Sequence, residues 1–284
     1  MARAKDIFER PQAVALTIAG SDPSGGAGVQ ADLKTFHQFG VYGTSVITLL
    51  TVQNTQRVSR IELTPPALVL EQLDAVLEDI PPAAAKTGAL GSAELIRALA
   101  ARARHFEFPL VVDPVMISKH GAPLLEDAAR GALLELLLPH ATLVTPNWHE
   151  AMLLAGIDEQ TAGDADTLGQ RAAEAILNTG AGAVLIKGGH RPPADPLAPP
   201  AEANDVLYYD GDAYLYAAPR VDTKHTHGTG CTYSAAITAL LARGVDLVHA
   251  VGQAKQFIHS AIATNPGLGK GLGPVNHFAR ISRD

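Results

Sequence analysis

The stretch Ala13-Val-Ala-Leu-Thr-Ile-Ala-Gly-Ser-Asp-Pro-Ser-Gly-Gly-Ala-Gly28 decides the fold class of this chain. Its first part is almost entirely apolar, which is typical of a strand buried on both faces of a sheet. A Gly-rich loop follows, and the residues from Gln30 to Lys34 are expected to begin a helix. A buried strand followed by a helix is the unit from which parallel sheets are built.

The same alternation continues along the chain. Further short apolar runs predict buried strands over residues 45–52, 83–86, 110–112, 142–144 and 183–186. Longer amphipathic runs predict helices over residues 66–79, 93–104, 123–138, 148–155, 164–178, 232–243 and 247–264. Strands alternating with helices predict an α/β fold with a central, mainly parallel sheet covered on both faces.

Two segments depart from this alternation. Residues 204–217 place Val206-Leu-Tyr-Tyr and Tyr214-Leu-Tyr on either side of Asp210-Gly-Asp, which predicts a β-hairpin. Residues 191–203 are rich in Pro and Ala without periodicity, and we interpret them as a flexible loop. We expect a single domain over residues 1–284, with an N-terminal extension over residues 1–12.

Composition excludes several classes of function. The chain has 284 residues, a formal net charge of -7 and no basic run, so nucleic acid is not an expected partner. One cysteine excludes an internal disulfide framework and fits a reducing cytosol. The charged N-terminus lacks the apolar core of a signal peptide, and no apolar run is long enough to span a membrane. We therefore expect a cytoplasmic protein.

Polar residues cluster where the predicted strands end. Gln53 follows one strand, Asp113 another, Thr145-Pro-Asn-Trp-His-Glu150 a third and Lys187-Gly-Gly-His190 a fourth. In open α/β sheets, ligands bind beyond the carboxyl ends of the strands. The pattern therefore predicts a ligand site at one edge of the sheet.

The carboxylates at this edge allow two readings. Asp113 and Glu150 are hard oxygen ligands suited to Mg²⁺, directly or through water. Asp113 is also placed to cap a turn with Pro114, and Asn147 is placed to cap a helix with Glu150 in a capping box. Lys187 suits a nucleotide phosphate, although a solvated lysine is the alternative.

The segment His225-Thr-His-Gly-Thr-Gly-Cys231 is a Gly-rich turn that runs into an apolar helix near Gly230. The first N–H groups of a helix lack partners within it and attract anions, above all phosphate. Cys231, the only cysteine, is therefore expected to have a lowered pKa and to act as a proton acceptor. The alternative is an ordinary loop before a core helix with a buried cysteine.

Other nucleotide and metal motifs fit poorly. Gly26-Ala-Gly28-Val-Gln-Ala31 matches G-x-G-x-x-A, but no acidic residue follows the next strand, which excludes a dinucleotide site. Gly25 is followed by Gly26-Ala27, so the loop is not a Walker A motif. The histidines at 190, 225 and 227 lack zinc-site spacing, and His225 or His227 is a candidate for a place near phosphate.

The chain resembles the hydroxymethylpyrimidine/phosphomethylpyrimidine kinases over nearly its whole length. The resemblance is carried, in order, by residues 20–36, Gln53-Asn-Thr55, Lys86-Thr-Gly88, Asp113-Pro-Val-Met116, Thr145-Pro-Asn147 with Glu150, Lys187-Gly-Gly-His190, residues 225–231 and Gly269-Lys-Gly-Leu-Gly-Pro274. It implies a ribokinase-like three-layer α/β/α fold. It also implies two ATP-dependent phosphorylations in thiamine biosynthesis, of 4-amino-5-hydroxymethyl-2-methylpyrimidine and then of its monophosphate.

The resemblance also implies roles for particular residues. Gln53 would bind the aminopyrimidine edge, Gly20, Ala27 and Val115 would line its pocket, and Asp32 would order the loop. The implied ATP contacts are Lys187, Asn147 and Thr223, and the implied Mg²⁺ ligands are Asp113 and Glu150. The implied catalytic group is Gly228, Thr229, Gly230 and Cys231. The expected partners are ATP and a small pyrimidine, and a homodimer is common for the fold.

Three alternatives follow from the same residues. A pyridoxal or pyridoxine kinase would share the anion turn and the metal site, although Gln53 favours the aminopyrimidine. A non-catalytic pyrimidine sensor would not need Asp113, Lys187 and Cys231 together. A sugar kinase is disfavoured because Cys231 stands where that class has aspartate. Ala89 replaces a methionine found in some relatives, which predicts a looser substrate pocket.

Overall fold

The computed structural model describes residues 13–116, 121, 124–125, 128–159, 164–190 and 201–281. The strands within these ranges are β1 (Val14–Ser21), β2 (Tyr42–Gln53), β3 (Val58–Leu63), β4 (Ala84–Thr87), β5 (Leu110–Val112), β6 (Leu143–Val144), β7 (Ala183–Ile186), β8 (Asp205–Tyr209) and β9 (Asp212–Tyr216). They form one sheet in the order β3-β2-β1-β4-β5-β6-β7-β8-β9. The six strands from β2 to β7 in this order are parallel, whereas β3, β8 and β9 are antiparallel to their neighbours.

The helices are α1 (Gly28–Gln38), α2 (Pro66–Asp79), α3 (Ala93–Ala103), α4 (Ala129–Ala132), α5 (Trp148–Ala155), α6 (Ala165–Leu177), α7 (Thr229–Ala242) and α8 (Leu247–Ala263). Helix α4 continues as a π turn and a 3-10 turn to His140. Most boundaries agree with the sequence predictions to within a few residues, because Asn147, Asp164 and Asp246 each cap the helix that follows them. Among the described residues, no helix is long and apolar enough to cross a membrane.

Alternating residues of the central strands face two separate hydrophobic cores. In β7, Ala183 and Leu185 face the core formed with α1, α7 and α8. Val184 and Ile186 face the core formed with α2 to α6. Because side chains of a strand alternate between the faces of a sheet, a continuous apolar strand supplies both cores at once. The predicted three-layer α/β/α arrangement around a mainly parallel sheet is confirmed.

Three details differ from the sequence predictions. Strand β3 was not predicted, and the predicted 232–243 helix begins earlier, at Thr229. Residues 201–203, expected in the flexible loop, pair with 218–220 through Ala203 N–H to Ala218 and Arg220 N–H to Ala201. The remainder of that loop, 191–200, the extension 1–12 and positions 123, 126 and 127 of the predicted 123–138 helix lie outside the described residues.

The strand order places the ligand site. Strand β1 lies between β2 and β4. Helix α1, which leads from β1 to β2, packs on one face of the sheet, and α2, which leads into β4, packs on the other. Such a reversal opens a crevice beyond the carboxyl ends of the strands, where ligands bind in open α/β sheets. The loop after β1 and the turn before α7 both lie at this crevice.

Candidate active site

A cavity of about 490 Å³ lies at this edge of the sheet. Most of the residues predicted from the sequence line it: Gly20, Ala27, Gln53, Asp113, Val115, Asn147, Glu150, Lys187, Gly228, Thr229, Gly230 and Cys231. Its wall also includes Ala89, the position where the resemblance predicted a looser pocket. The ends of six parallel strands and the start of α7 therefore converge on one space.

Lys187 and Asp113 form an ion pair at the floor of the cavity. Lys187 follows β7, and its Nζ lies 3.0 Å from Oδ1 of Asp113, which follows β5. Thr145 donates to the same oxygen at 3.1 Å, and Ser234 donates to Oδ2 at 3.3 Å. Burial alone would raise the pKa of Asp113, but the charges of Lys187 and Lys86 outweigh it and lower that pKa. Asp113 is therefore a carboxylate whose charge is already balanced by lysine.

Glu150 caps a helix and faces the cavity at the same time. Asn147 Oδ1 accepts from Glu150 N–H at 3.0 Å, and Glu150 Oε2 accepts from Asn147 N–H at 2.8 Å. The capping box considered from the sequence is thus present. Burial raises the pKa of Glu150 to about 7, and the charge of Asp113 adds to this effect, although Lys187 opposes it. A cation in the cavity would stabilise the ionised form.

The turn before α7 lies beside Lys187. Gly228 is the N-cap with φ of 77°, and the first N–H to bond within the helix belongs to Thr232. A methyl group built on Gly230 would lie 3.2 Å from Lys187 Nζ. Helix N-termini and ammonium groups both favour anions. The arrangement can hold a phosphoryl group between the turn and Lys187.

A buried ion pair holds the backbone of the turn that follows Lys187. Gly188 N–H donates to Asp205 Oδ1 at 2.8 Å, and Asp205 Oδ2 lies 2.7 Å from Lys255 Nζ on α8. Lys255 also donates to the carbonyl of Ala203 at 2.7 Å. Both charged side chains are buried, so the pair fixes the backbone next to Lys187.

Cys231 corrects a sequence prediction. The thiol lies at the start of α7 and lines the cavity, as expected. Burial, however, raises the pKa of Cys231 to about 11, and the charges of Asp32 and Asp113 add to the increase despite the opposing charge of Lys86. The free-energy cost of burying a thiolate here outweighs the stabilisation that the helix N-terminus gives it. The lowered pKa predicted from the helix start is therefore wrong for the ligand-free protein, in which the thiol is neutral at pH 7.

Two further predicted site residues do not line the cavity. Asp32 on α1 has no exposed surface and pairs with Lys86 on β4 at 2.9 Å, so it stabilises the core beneath the cavity. Thr223 accepts hydrogen bonds from His225 N–H and from the amide of Asn265. Asp32 and Thr223 are both absent from the cavity lining, so Asp32, grouped with the substrate-binding residues for its expected role in ordering the loop, is not placed to touch a ligand there.

A buried pair that also lines the cavity was not predicted from the sequence. His227 Nε2 lies 2.7 Å from Asp22 Oδ2, and the Gln53 amide nitrogen lies 3.2 Å from the same ring nitrogen. Asp22 and His227 are nearly inaccessible to solvent. His227 had been assigned to a loop near phosphate, and Asp22 had no role. One sequence feature could have indicated the pair: Asp22 and His227 both lie in Gly-rich segments that were predicted to meet at the same edge of the sheet.

Solved structures define the class of protein. Bacillus subtilis pyridoxal kinase, in an ADP complex, superposes with a TM-score of 0.83 at 37% identity over 94% of this chain and 98% of that chain. Phosphomethylpyrimidine kinase from Clostridium difficile 630 superposes with a TM-score of 0.75 at 41% identity over 88% of this chain and 99% of that chain. The fold is that of a ribokinase-like kinase of small molecules.

The sequence comparisons define a narrower family within this class. The family model described as phosphomethylpyrimidine kinase matches residues 22–276, and the chain belongs to that family. The hydroxymethylpyrimidine/phosphomethylpyrimidine kinase of Rhizobium meliloti (strain 1021) is 49% identical over 275 residues, which cover 96% of this chain and 99% of that protein. The resemblance found in the sequence motifs is confirmed.

Proposed function

We propose that this protein transfers the γ-phosphoryl group of ATP to the hydroxymethyl group of 4-amino-5-hydroxymethyl-2-methylpyrimidine, and then phosphorylates the monophosphate to the pyrophosphate, in thiamine biosynthesis. The observation that carries the proposal is the convergence of Lys187 and the α7 N-terminus on a cavity that also contains Gln53. Membership of the phosphomethylpyrimidine kinase family supports the choice of substrate.

In the proposed step, the substrate hydroxyl oxygen attacks the γ-phosphorus, the bond to the bridging oxygen of the β-phosphate breaks, and ADP and the hydroxyl proton leave. Such transfer depends mainly on positioning and charge neutralisation. The N–H groups between Gly228 and Cys231 hold the oxygens of the transferred group. Lys187 adds positive charge beside them. Because Cys231 is a neutral thiol in the free protein, we assign it to the wall of the site rather than to proton removal.

The acidic residues fit a magnesium ion that is held mainly by its nucleotide. Mg²⁺ is usually bound through one or two carboxylates together with substrate phosphates and water. Within the described ranges, no group of three or more His, Cys, Asp or Glu side chains is arranged to hold a metal. Glu150 suits the ion better than Asp113, since Asp113 is paired with Lys187 and burial favours the neutral form of Glu150. The ion would supply charge neutralisation of the phosphates.

Phosphorylation of pyridoxal is the second candidate function, because the chain superposes on a pyridoxal kinase with a TM-score of 0.83. The two candidates share the anion turn and Lys187. They differ in the ring that Gln53 and its neighbours must recognise. A direct comparison of the two substrates separates them.

The experiment measures ATP consumption with Mg²⁺ and the hydroxymethylpyrimidine, with pyridoxal in parallel, and resolves the products by mass. Successive mono- and diphosphorylated pyrimidine would support the proposal, and phosphorylation of pyridoxal alone would overturn it. Lys187→Ala should abolish turnover. Lys34→Ala is the matched control, because the hydrogen bond from Lys34 to the carbonyl of Gly25 is exposed to solvent and Lys34 does not line the cavity.

We further infer a single kinase domain in the cytoplasm, where ATP is available, and a homodimer. The homodimer is supported by the apolar side chains of Leu50 and Val52, which are more than half exposed on β2 next to β3. Apolar side chains grouped on a sheet face are typical of subunit contacts. Leu50→Lys should shift the mass measured by light scattering from dimer to monomer, and a monomeric wild type would refute this part.

A further inference from the structure

Three residues from separate segments meet on the wall of the cavity. Asp22 belongs to the loop after β1, Gln53 ends β2, and His227 belongs to the turn before α7. His227 Nε2 lies 2.7 Å from Asp22 Oδ2 and 3.2 Å from the Gln53 amide nitrogen. One ring nitrogen thus faces both a carboxylate and an amide, which restricts how its single hydrogen can be used.

The carboxylate of Asp22 accepts several hydrogen bonds. It accepts from Ser24 N–H at 2.8 Å, from the Ser24 hydroxyl at 2.7 Å and from Ala27 N–H at 2.9 Å. Burial alone would raise the pKa of Asp22, but the bonds from His227 and Ser24 lower it below its ordinary value. An ionised carboxylate only accepts hydrogen bonds, so the 2.7 Å contact requires a hydrogen on His227 Nε2.

That hydrogen decides which way the Gln53 amide is turned. A protonated Nε2 has no lone pair, in either the neutral tautomer or the imidazolium form. It therefore cannot accept from an amide NH₂ group 3.2 Å away. A half-turn of the amide exchanges its oxygen and nitrogen, and hydrogen bonding decides between the two positions. With the oxygen toward His227, the Nε2–H is shared between two acceptors and no donor faces a donor.

We infer that the buried Asp22–His227 pair holds the Gln53 amide with its oxygen toward His227 and its NH₂ group toward the cavity, and that this orientation selects a ring that carries an acceptor nitrogen beside an amino group. The NH₂ group donates to the ring nitrogen. The second lone pair of the oxygen accepts from the amino group. Pyridoxal offers no amino group for this second bond. The selectivity part rests on the proposed function, whereas the orientation of the amide does not.

The first test is nitrogen NMR of the histidine side chains in the ligand-free protein, with His227→Gln used to assign the His227 signals. Protonated Nε2 is the expected result. An unprotonated, pyridine-type Nε2 would overturn the inference, because the ring would then accept from the Gln53 NH₂ group. This readout needs no substrate and therefore stands even if the proposed function fails.

The second test is a double-mutant cycle on the selectivity ratio, defined as kcat/KM for the hydroxymethylpyrimidine divided by kcat/KM for pyridoxal. His227→Leu should lower the ratio by at least about 10-fold, in line with the loss of one buried hydrogen bond. In the Gln53→Ala background, His227→Leu should lower it no further, because coupled residues are not additive. Independent, multiplicative effects would show that His227 does not act through Gln53.

Two variants separate positioning from folding. His227→Gln carries an NH₂ group that can donate to Asp22 and to the Gln53 oxygen, and it should restore most of the ratio. His249→Leu removes an imidazole that pairs with Asp246 at 2.7 Å on the exposed surface of α8, and it should leave the ratio unchanged. If the wild-type protein has no activity on the pyrimidine, the proposed function is refuted. The orientation of the Gln53 amide is then decided by the NMR experiment alone.

Discussion

The ammonium group of Lys86 lies 2.9 Å from the carboxylate of Asp32, and neither side chain has any exposed surface. The pair joins α1 to β4 next to Gly88, which lines the cavity, and Thr17 donates to the other oxygen of Asp32 at 2.6 Å. Two charges so deeply buried are stable only together. The floor of the site therefore depends on an ion pair between residues that do not line it.

The first prediction concerns this pair. Asp32→Ala leaves the Lys86 charge buried without a partner and should lower the free energy of unfolding by roughly 3–5 kcal/mol. The double variant Asp32→Leu with Lys86→Met removes both charges and should be more stable than Asp32→Ala. Urea unfolding measures all three proteins. Equal stability of the single and double variants would show that the two charges are not coupled.

The second prediction concerns the reactivity of Cys231. Because burial raises the pKa of this thiol to about 11, its alkylation by iodoacetamide should keep accelerating above pH 9. The same protein unfolded in urea is the control, since Cys231 is the only cysteine and should there titrate near pH 8.5. A rate that levels off below pH 8 in the folded protein would contradict the raised pKa.

The third prediction concerns turnover by Cys231→Ser. If the thiol is a wall of the site rather than a base, the serine variant should keep kcat within about 10-fold of the wild type, because phosphoryl transfer needs little help from a base. Steady-state kinetics with ATP and the pyrimidine measure this. A loss of several orders of magnitude would restore Cys231 as the proton acceptor.

The fourth prediction concerns Glu150. Its folded-state pKa of about 7 lies above the ordinary value of 4.5, so between these values the folded protein binds more protons than the unfolded chain. The free energy of unfolding should therefore fall as pH rises from 4.5 to 7, by about 1 to 3 kcal/mol from this group. Glu150→Gln keeps the capping box but cannot titrate, so it should lack this part of the decrease. If the free energy of unfolding depends on pH in the same way in the wild type and in Glu150→Gln, the raised pKa of Glu150 is refuted.

The fifth prediction concerns Gly228. A methyl group there would overlap the carbonyl oxygen of Gly26, and φ of 77° strains any other residue. Gly228→Ala should displace the anion turn and abolish most activity. Gly244→Ala is the matched control, because φ is 79° and nothing lies within 4 Å of the new methyl group. The control should lose only about 1–2 kcal/mol of stability, and similar activity in both variants would contradict the role of the turn.

Local patterns predicted most of the fold because they reflect local physics. The run at 183–186 is apolar on both faces, and Asn147 with Glu150 has the spacing of a capping box, so the strand and the helix start could be found. Strand β3 was missed because Ser59, Arg60 and Glu62 give it exposed polar side chains at a sheet edge. An edge strand lacks the apolar signal of a central one.

The site was harder to predict where a property depends on distant neighbours. Asp32 and Lys86 are 54 positions apart, and Asp22 and His227 are 205 apart, so neither pair is visible in any local pattern. The pKa of Cys231 was predicted with the wrong sign because the helix start is local, whereas the burial that dominates it is contributed by the whole fold.

The anchored turn behind Lys187 has a consequence for protein engineering. On one side, Gly188 is tied to Asp205, and on the other, Ala203 is tied to Ala218 and to Lys255. Lys255 therefore holds the backbone next to Lys187 although no residue of α8 lines the cavity. Substitutions introduced at Lys255 to improve solubility or stability should be avoided, because they would leave Asp205 buried without its partner and release the turn that follows Lys187.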